Sequence, residues 1–191
     1  MGKATRIHSQ TGFTLVELLI VAIILAILAA IVVPQFASTT EDAKEAALRS
    51  NLANIRGAIS LYRQQHGAYP STVAATGGTC TGGAAGTGAA ESGQALVDQL
   101  TRYTNANGQS CTLPVGGTFQ FGPYLDENTL PANPVTGSSA VLVVGAAAVG
   151  AGNLAMQGTG AGLGWRYDVT SGKFIANDTS TDSSGARYDS Y

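Results

Sequence analysis

The sequence predicts an α+β protein, with one long N-terminal helix packed against a small antiparallel β-sheet. Three observations predict it. Leu18 to Val33 runs without a single polar side chain. An apolar seam at helical spacing follows it. The C-terminal third then carries short apolar runs separated by turn residues.

The apolar run sets the first element. Extended from Phe13 to Ala37 it takes in Thr14, Glu17, Pro34 and Gln35. A helix of that length measures roughly 37 Å at 1.5 Å per residue, enough to cross a hydrocarbon core of ~30 Å. In a water-soluble domain such a helix would need cover on every side, more than the rest of the chain supplies. Lys3 and Arg6 precede the run and no acid does, while Glu41 and Asp42 follow it. The positive-inside rule therefore puts the N-terminus in the cytoplasm and the body outside. The run exceeds the h-region of a cleaved secretory signal and has no A-x-A exit. Pro34 lacks an N–H, so a helix kink or local loosening is predicted there, tolerated where neighbours satisfy the freed carbonyl.

Glu17 is the costly residue in this segment. A carboxylate within a membrane helix costs on the order of ~3 kcal/mol. It either sits at the interface, near the start of the run, or meets a cation. No Lys or Arg lies in the run. An α-amine would serve if the chain were cut just before Phe13.

Beyond Ser38, Thr39 and Thr40 the helix is predicted to resume as an amphipathic stem. Leu48, Leu52, Ile55, Ile59 and Tyr62 form the seam, and Glu45 with Arg49 forms an i,i+4 pair. Gly67 is the C-cap candidate and Pro70 blocks continuation. The two halves make one helix of some 50 residues, roughly 80 Å. Arg49, Arg56 and Arg63 recur every seven residues beside the seam. They form either a solvated flank or a basic stripe facing the Glu41, Asp42 and Glu45 turn of a staggered neighbour.

In the body, residues 64–90 carry no Asp, Glu, Lys or Arg, and Gly77 to Ala90 is rich in Gly, Thr and Ala. This reads as a long loop or insertion. Glu91 to Tyr103 has the spacing of a short helix. AVLVV at 140–144 reads as a buried strand, and WRYDV at 165–169 with KFIAN at 173–177 as a hairpin turning at Thr170-Ser171-Gly172. Asp178 to Tyr191 reads as loop. Cys80 and Cys111 are the only cysteines, and in an extracytoplasmic body an even pair predicts a disulfide rather than a metal site.

Composition narrows the function. A net charge of −2 rules against a nucleic-acid binder, which presents a basic face. No HExxH, GxSxG, Walker or GxGxxG pattern is present, and GTGAGLG at 158–164 lacks phosphate-loop spacing. A structural subunit ranks above an enzyme, with a membrane-anchored periplasmic hydrolase as the lower-ranked alternative.

Gly12-Phe13-Thr14-Leu15-Val16-Glu17 followed by the apolar run and Pro34 resembles the prepilin-type cleavage and methylation motif of type IV pilins and type II secretion pseudopilins. LYRQQHGAYPST at 61–72, the 122–137 region and GWRYDVTSGKFIAND at 164–178 resemble, more loosely, major type II pseudopilins. The resemblance implies a pilin-like fold: a leader over 1–12, a transmembrane and assembly helix over 13–37, a stem over 38–67, and a periplasmic or extracellular body over 68–191 with the 77–90 insertion. It implies cleavage between Gly12 and Phe13 by prepilin peptidase, N-methylation of Phe13, and pairing of the new amine with Glu17 of a neighbouring subunit to set register. The implied partners are copies of the chain itself, minor pseudopilins or pilins, and an inner-membrane assembly platform. The implied role is a pseudopilin that polymerises from the inner membrane and helps drive protein export, with a type IV pilus pilin as the alternative. The body is longer than that family's usual one, and its second cysteine lies far from the C-terminal loop of many type IV pilins. No cofactor is required on this reading, although major pseudopilins often hold Ca²⁺ in a C-terminal loop. Asp178 and Asp182 are the candidate ligands here, against the plainer reading of a polar tail.

Overall fold

The computed structural model describes residues 13–145, 158–159 and 162–191. The predicted 1–12 leader lies outside them. The chain divides into two units between Thr40 and Glu41.

The first unit is the opening part of helix α1, Leu15–His66. The helix continues through Pro34. Its Leu15–Val33 stretch has a mean hydropathy of 3.2 with no part of it buried. Beyond that stretch, Thr39 Oγ1 donates back to the Gln35 carbonyl at 2.9 Å.

The second unit holds the rest of α1 and the body. The predicted seam is the core: Leu48, Leu52, Ile55, Ile59 and Tyr62 are all buried. They pack with Leu96, Leu100, Trp165, Tyr167 and Phe174, which removes two apolar surfaces from water together. The helix stops at the predicted glycine. Gly67 adopts φ +72°, a conformation that costs a Cβ-free residue little, and its N–H donates to the Arg63 carbonyl at 2.8 Å.

Helix α2, Gly93–Thr101, sits inside the predicted helical segment. Ser92 caps it, accepting from the Ala95 N–H at 3.1 Å. Strands β1 (Tyr103–Thr104) and β2 (Ser110–Cys111) form a short antiparallel pair. Strands β3 (Val141–Val144), β4 (Trp165–Asp168) and β5 (Phe174–Ala176) form the second sheet, in the order β3-β4-β5. The predicted hairpin is β4–β5, antiparallel. The third strand corrects the expectation of a wholly antiparallel sheet, because β3 pairs with β4 in parallel. Residues 145–164 separate these strands in sequence, room for the crossover that a parallel pair requires.

Two segments read as loop are more ordered than their composition suggests. Within the Gly-rich insertion, Ala85 bridges Cys111. The Gly86 N–H donates to the Ser110 carbonyl at 2.9 Å, and the Thr112 N–H to Ala84 at 3.0 Å. Residues 84–86 therefore lie along β2 as a further strand-like edge. In the tail, Thr181 bridges Arg187 and a 3-10 turn forms over Tyr188–Ser190. That turn packs on β5, which is why all three β5 residues are buried instead of alternating.

Candidate assembly site

The start of α1 is a reciprocal cap. Thr14 donates to Glu17 Oε2 through its N–H at 3.0 Å and its hydroxyl at 2.9 Å. The Glu17 N–H donates to Thr14 Oγ1 at 3.2 Å. This is a capping box, in which each side chain satisfies a backbone N–H that the first helical turn leaves free. The T-x-x-E spacing before an apolar run is visible in the sequence, where Glu17 reads as an interfacial carboxylate or the partner of a cation rather than as a cap. The carboxylate also lies at the positive end of the helix dipole. Phe13 is 81% exposed and the apolar side chains from Leu15 to Val33 are likewise uncovered. Gly12, the other half of the predicted cleavage site, lies outside the described residues, as do the side chains of Pro34, Phe36, Ala37 and Ser38.

Residues 7–33 match the family described as the prokaryotic N-terminal methylation motif. The chain carries that methylation motif. The chain is also similar to type II secretion system core protein G from Pseudomonas aeruginosa, 44% identical over 65 residues, covering 34% of this chain and 46% of the relative. The same protein from Klebsiella pneumoniae is 38% identical over 63 residues, covering 33% and 45%. That of Vibrio cholerae is 34% identical over 67 residues, covering 35% and 46%. The chain thus spans about half the length of the curated relatives it matches. No solved structure matches it.

Away from the methylation motif, the predicted arginine stripe turns inward upon its own body. Arg49 donates to the Tyr191 hydroxyl at 3.1 Å, stacks over that ring at 4.5 Å, and lies 3.8 Å from Asp182. Arg56 donates to the Phe174 carbonyl at 3.0 Å and also to the Tyr191 carbonyl. Arg63 donates to the Tyr69 hydroxyl at 2.8 Å. The expected Glu45–Arg49 pair acts only at a distance, Glu45 helping to raise the Arg49 pKa without a close ion pair, because each side chain has a tertiary partner: Glu45 accepts from the Ser183 N–H at 3.1 Å.

The predicted disulfide is present, joining Cys80 to Cys111 with Cα atoms 5.5 Å apart. A second anchor of the insertion escaped sequence reasoning. Asp98, fully buried on α2, accepts from the Thr87 and Gly88 N–H groups at 2.8 and 3.0 Å. It also pairs with Arg102 at 3.2 Å. A Cβ on Gly88 would collide with the Ala95 backbone, so glycine is required for this approach.

The candidate calcium ligands are already occupied in part. Asp178 Oδ1 accepts from the Ser180 N–H and hydroxyl at 2.7 and 2.5 Å. Asp182 Oδ1 accepts from the Ser184 and Ala186 N–H groups, each at 2.8 Å. Its other oxygen takes the Tyr191 hydroxyl, and these bonds, the Tyr191 hydroxyl foremost, hold its carboxyl well below the usual carboxylate range. Among the described residues no group of three or more His, Cys, Asp and Glu side chains is placed to hold a metal. The pair therefore fits a hard cation only if backbone carbonyls complete its shell.

Proposed function

We propose that the chain is a non-enzymatic structural subunit of a pilus-like filament, a pseudopilin of a type II secretion system. The observation that carries this reading is the methylation motif running into a helix whose apolar side chains have no cover among the described residues. Such a surface must be covered by lipid or by other copies. On this reading prepilin peptidase cuts between Gly12 and Phe13 and methylates the new amine. The 13–37 helix then holds the subunit in the inner membrane with its body in the periplasm, where Pro34 loosens the span. The assembly platform and minor pseudopilins act on the subunit, which adds to a polymer that helps drive export. The names of its relatives support the secretion context over a type IV pilus.

Intact-mass analysis of the assembled form tests the processing, the expected species being residues 13–191 plus one methyl group. Retention of Met1 to Gly12 in assembled material overturns it. Loss of secretion on deleting the chain, with surface pili unaffected, favours the pseudopilus; loss of long surface fibres instead assigns the chain to a type IV pilus. Calcium is part of the same proposal, held by Asp178 and Asp182. Millimolar Ca²⁺ is expected to raise the melting temperature of the folded chain by mass action, an effect lost in Asp178→Ala. An unchanged melting temperature removes calcium from the reading.

A further inference from the structure

In the second unit, α1 keeps one uncovered face. Ser50, Ala53, Gly57, Ser60 and Leu61 on it are exposed and uncharged. The two shoulders of that face differ in sign. At 3.6 residues per turn, Arg49, Arg56 and Arg63 stand roughly opposite Asn51, Asn54 and Gln65. Tertiary contacts fix what lies beside each shoulder. On the basic one, Arg56 meets Phe174, whose neighbour Lys173 is exposed in the β4–β5 connection. On the other, Asn51 donates to the Ala132 carbonyl at 3.2 Å and Gln65 accepts from Tyr124 at 2.6 Å. There Asn51, Asn54, Tyr124, Asp126, Glu127 and Thr129 line an open cleft of about 460 Å³.

The charges left over are complementary. The three arginines spend donors on Tyr191, Phe174 and Tyr69. The Lys173 ammonium and the Asp126 and Glu127 carboxylates make no hydrogen bond or ion pair among the described residues. One shoulder thus offers unpaired acid and the other an unpaired cation. Two surfaces of opposite sign on opposite sides of one helix can meet between copies, the cation of one against the acid of the next. They suit a head-to-tail contact, which repeats into an open helical array when the rotation does not close.

We propose that this face of α1 docks a second copy of the chain, Lys173 of one copy entering the Asp126–Glu127 cleft of the next. The proposal rests on the filament reading above. An exposed ion pair adds little affinity, and its work is to orient and register the subunits. Packing between apolar membrane helices has no hydrophobic driving force of its own to set that register.

Charge reversal in the full-length chain, expressed with its secretion machinery, tests the contact. The double variant Asp126→Lys/Glu127→Lys and the single variant Lys173→Glu are each expected to lower pelleted filament several-fold relative to membrane content. Combining all three reversals is expected to restore most of the yield. The detergent-solubilised variants should melt with the parent chain, since these side chains make no hydrogen bond or ion pair among the described residues; where one melts early, Asp126→Asn/Glu127→Gln is read instead, with the same expected loss. Reversals that assemble normally overturn the docking contact. Losses that the combination does not restore assign the cleft to a different partner and overturn it too. A parent chain that forms no filament at all overturns the filament reading itself.

Discussion

The Arg56 guanidinium donates through Nε to the Phe174 carbonyl at 3.0 Å, joining the stem of α1 to strand β5 across 118 positions of sequence. Its second donor reaches the Tyr191 carbonyl, so one half-buried side chain ties three segments together. Burial lowers its pKa, yet arginine starts so high that it stays charged at neutral pH.

Replacing Arg56 is therefore expected to act on stability even though the residue lies beside the apolar core. Hydrogen bonds from a charged group contribute about 1.5–3 kcal/mol each. Arg56→Ala should lower the denaturation midpoint accordingly, and Arg56→Lys should recover only part, because an ammonium cannot copy the forked donor geometry. An unchanged midpoint in Arg56→Ala would assign these bonds no net stabilisation.

The insertion has two anchors with separate reach. Loss of the Cys80–Cys111 bridge removes up to about 3–4 kcal/mol in the chain-entropy model for a loop of roughly 30 residues. Its loosening should centre on 77–83, because residues 84–88 keep backbone bonds to Ala75, Ser110 and Thr112. Asp98→Ala should do the reverse. It strands the Thr87 and Gly88 N–H groups, a loss of about 1–3 kcal/mol for each buried donor left unsatisfied, while Arg102 keeps its bond to the Ala85 carbonyl. Amide exchange mapped along 75–90 in the two variants distinguishes these patterns; identical maps would merge the anchors into one.

These cases mark what the sequence made legible. The seam from Leu48 to Tyr62 was readable because helical spacing and burial are one signal, and the Gly67 stop because φ +72° selects glycine. The hairpin was readable from its turn. The parallel placement of β3 was not, since VLVV is equally apolar in either direction. Nor was the anchoring role of Asp98: its i,i+4 spacing to Arg102 is visible in the sequence, but the Thr87 and Gly88 N–H groups that it holds carry no side-chain signature. The arginine stripe was seen, but the partners of Arg49 and Arg56, the Tyr191 hydroxyl and the Phe174 and Tyr191 carbonyls, lie far along the chain, which local spacing does not reveal; only Tyr69, the partner of Arg63, is near.

His66 closes α1 inside an aromatic box and gives the body a pH dependence. Its ring stacks on Tyr62 at 4.0 Å and meets Phe121 and Tyr124 edge-on at 5.0 and 6.3 Å. Its nitrogens lie 3.1 Å from the Tyr62 and Asn105 carbonyls. Burial depresses its pKa, opposed by those two carbonyls. The unfolded chain, titrating near about 6.5, then takes up the proton first on acidification, so stability is full above that pH and is lost as pH falls toward the folded value. The melting temperature is expected to drop between pH of about 7.5 and 5.5, and His66→Gln should flatten that segment of the profile. A variant with the same slope as the parent chain would move the effect elsewhere.

On the filament reading Glu17 has two separable tasks, and the Thr14 cap allows them to be told apart. Within one chain its carboxylate accepts from the Thr14 N–H and hydroxyl, which keeps it satisfied at the start of an apolar helix. In the proposed filament it also receives the Phe13 ammonium of a neighbour. Glu17→Ala removes both partners. Insertion into the membrane should persist, because deleting a carboxylate from the span lowers the cost of transfer. Assembly should fail, because the neighbouring ammonium is left buried and unpaired, a loss of about 3–5 kcal/mol by the rule for broken pairs. Glu17→Gln is the decisive variant. Glutamine serves the third position of a capping box as well as glutamate does, so it preserves the local cap and removes only the charge. If charge pairing sets register, filament yield in Glu17→Gln should fall nearly as far as in Glu17→Ala, with membrane content unchanged in both. Glu17→Asp, one methylene shorter, should rescue poorly, while Thr14→Ala, which weakens the cap and keeps the charge, should lose less. Pelleted filament measured beside membrane-fraction content ranks the four variants. Near-normal assembly by Glu17→Gln would reduce Glu17 to a helix cap and leave subunit register to the packing of the apolar stems.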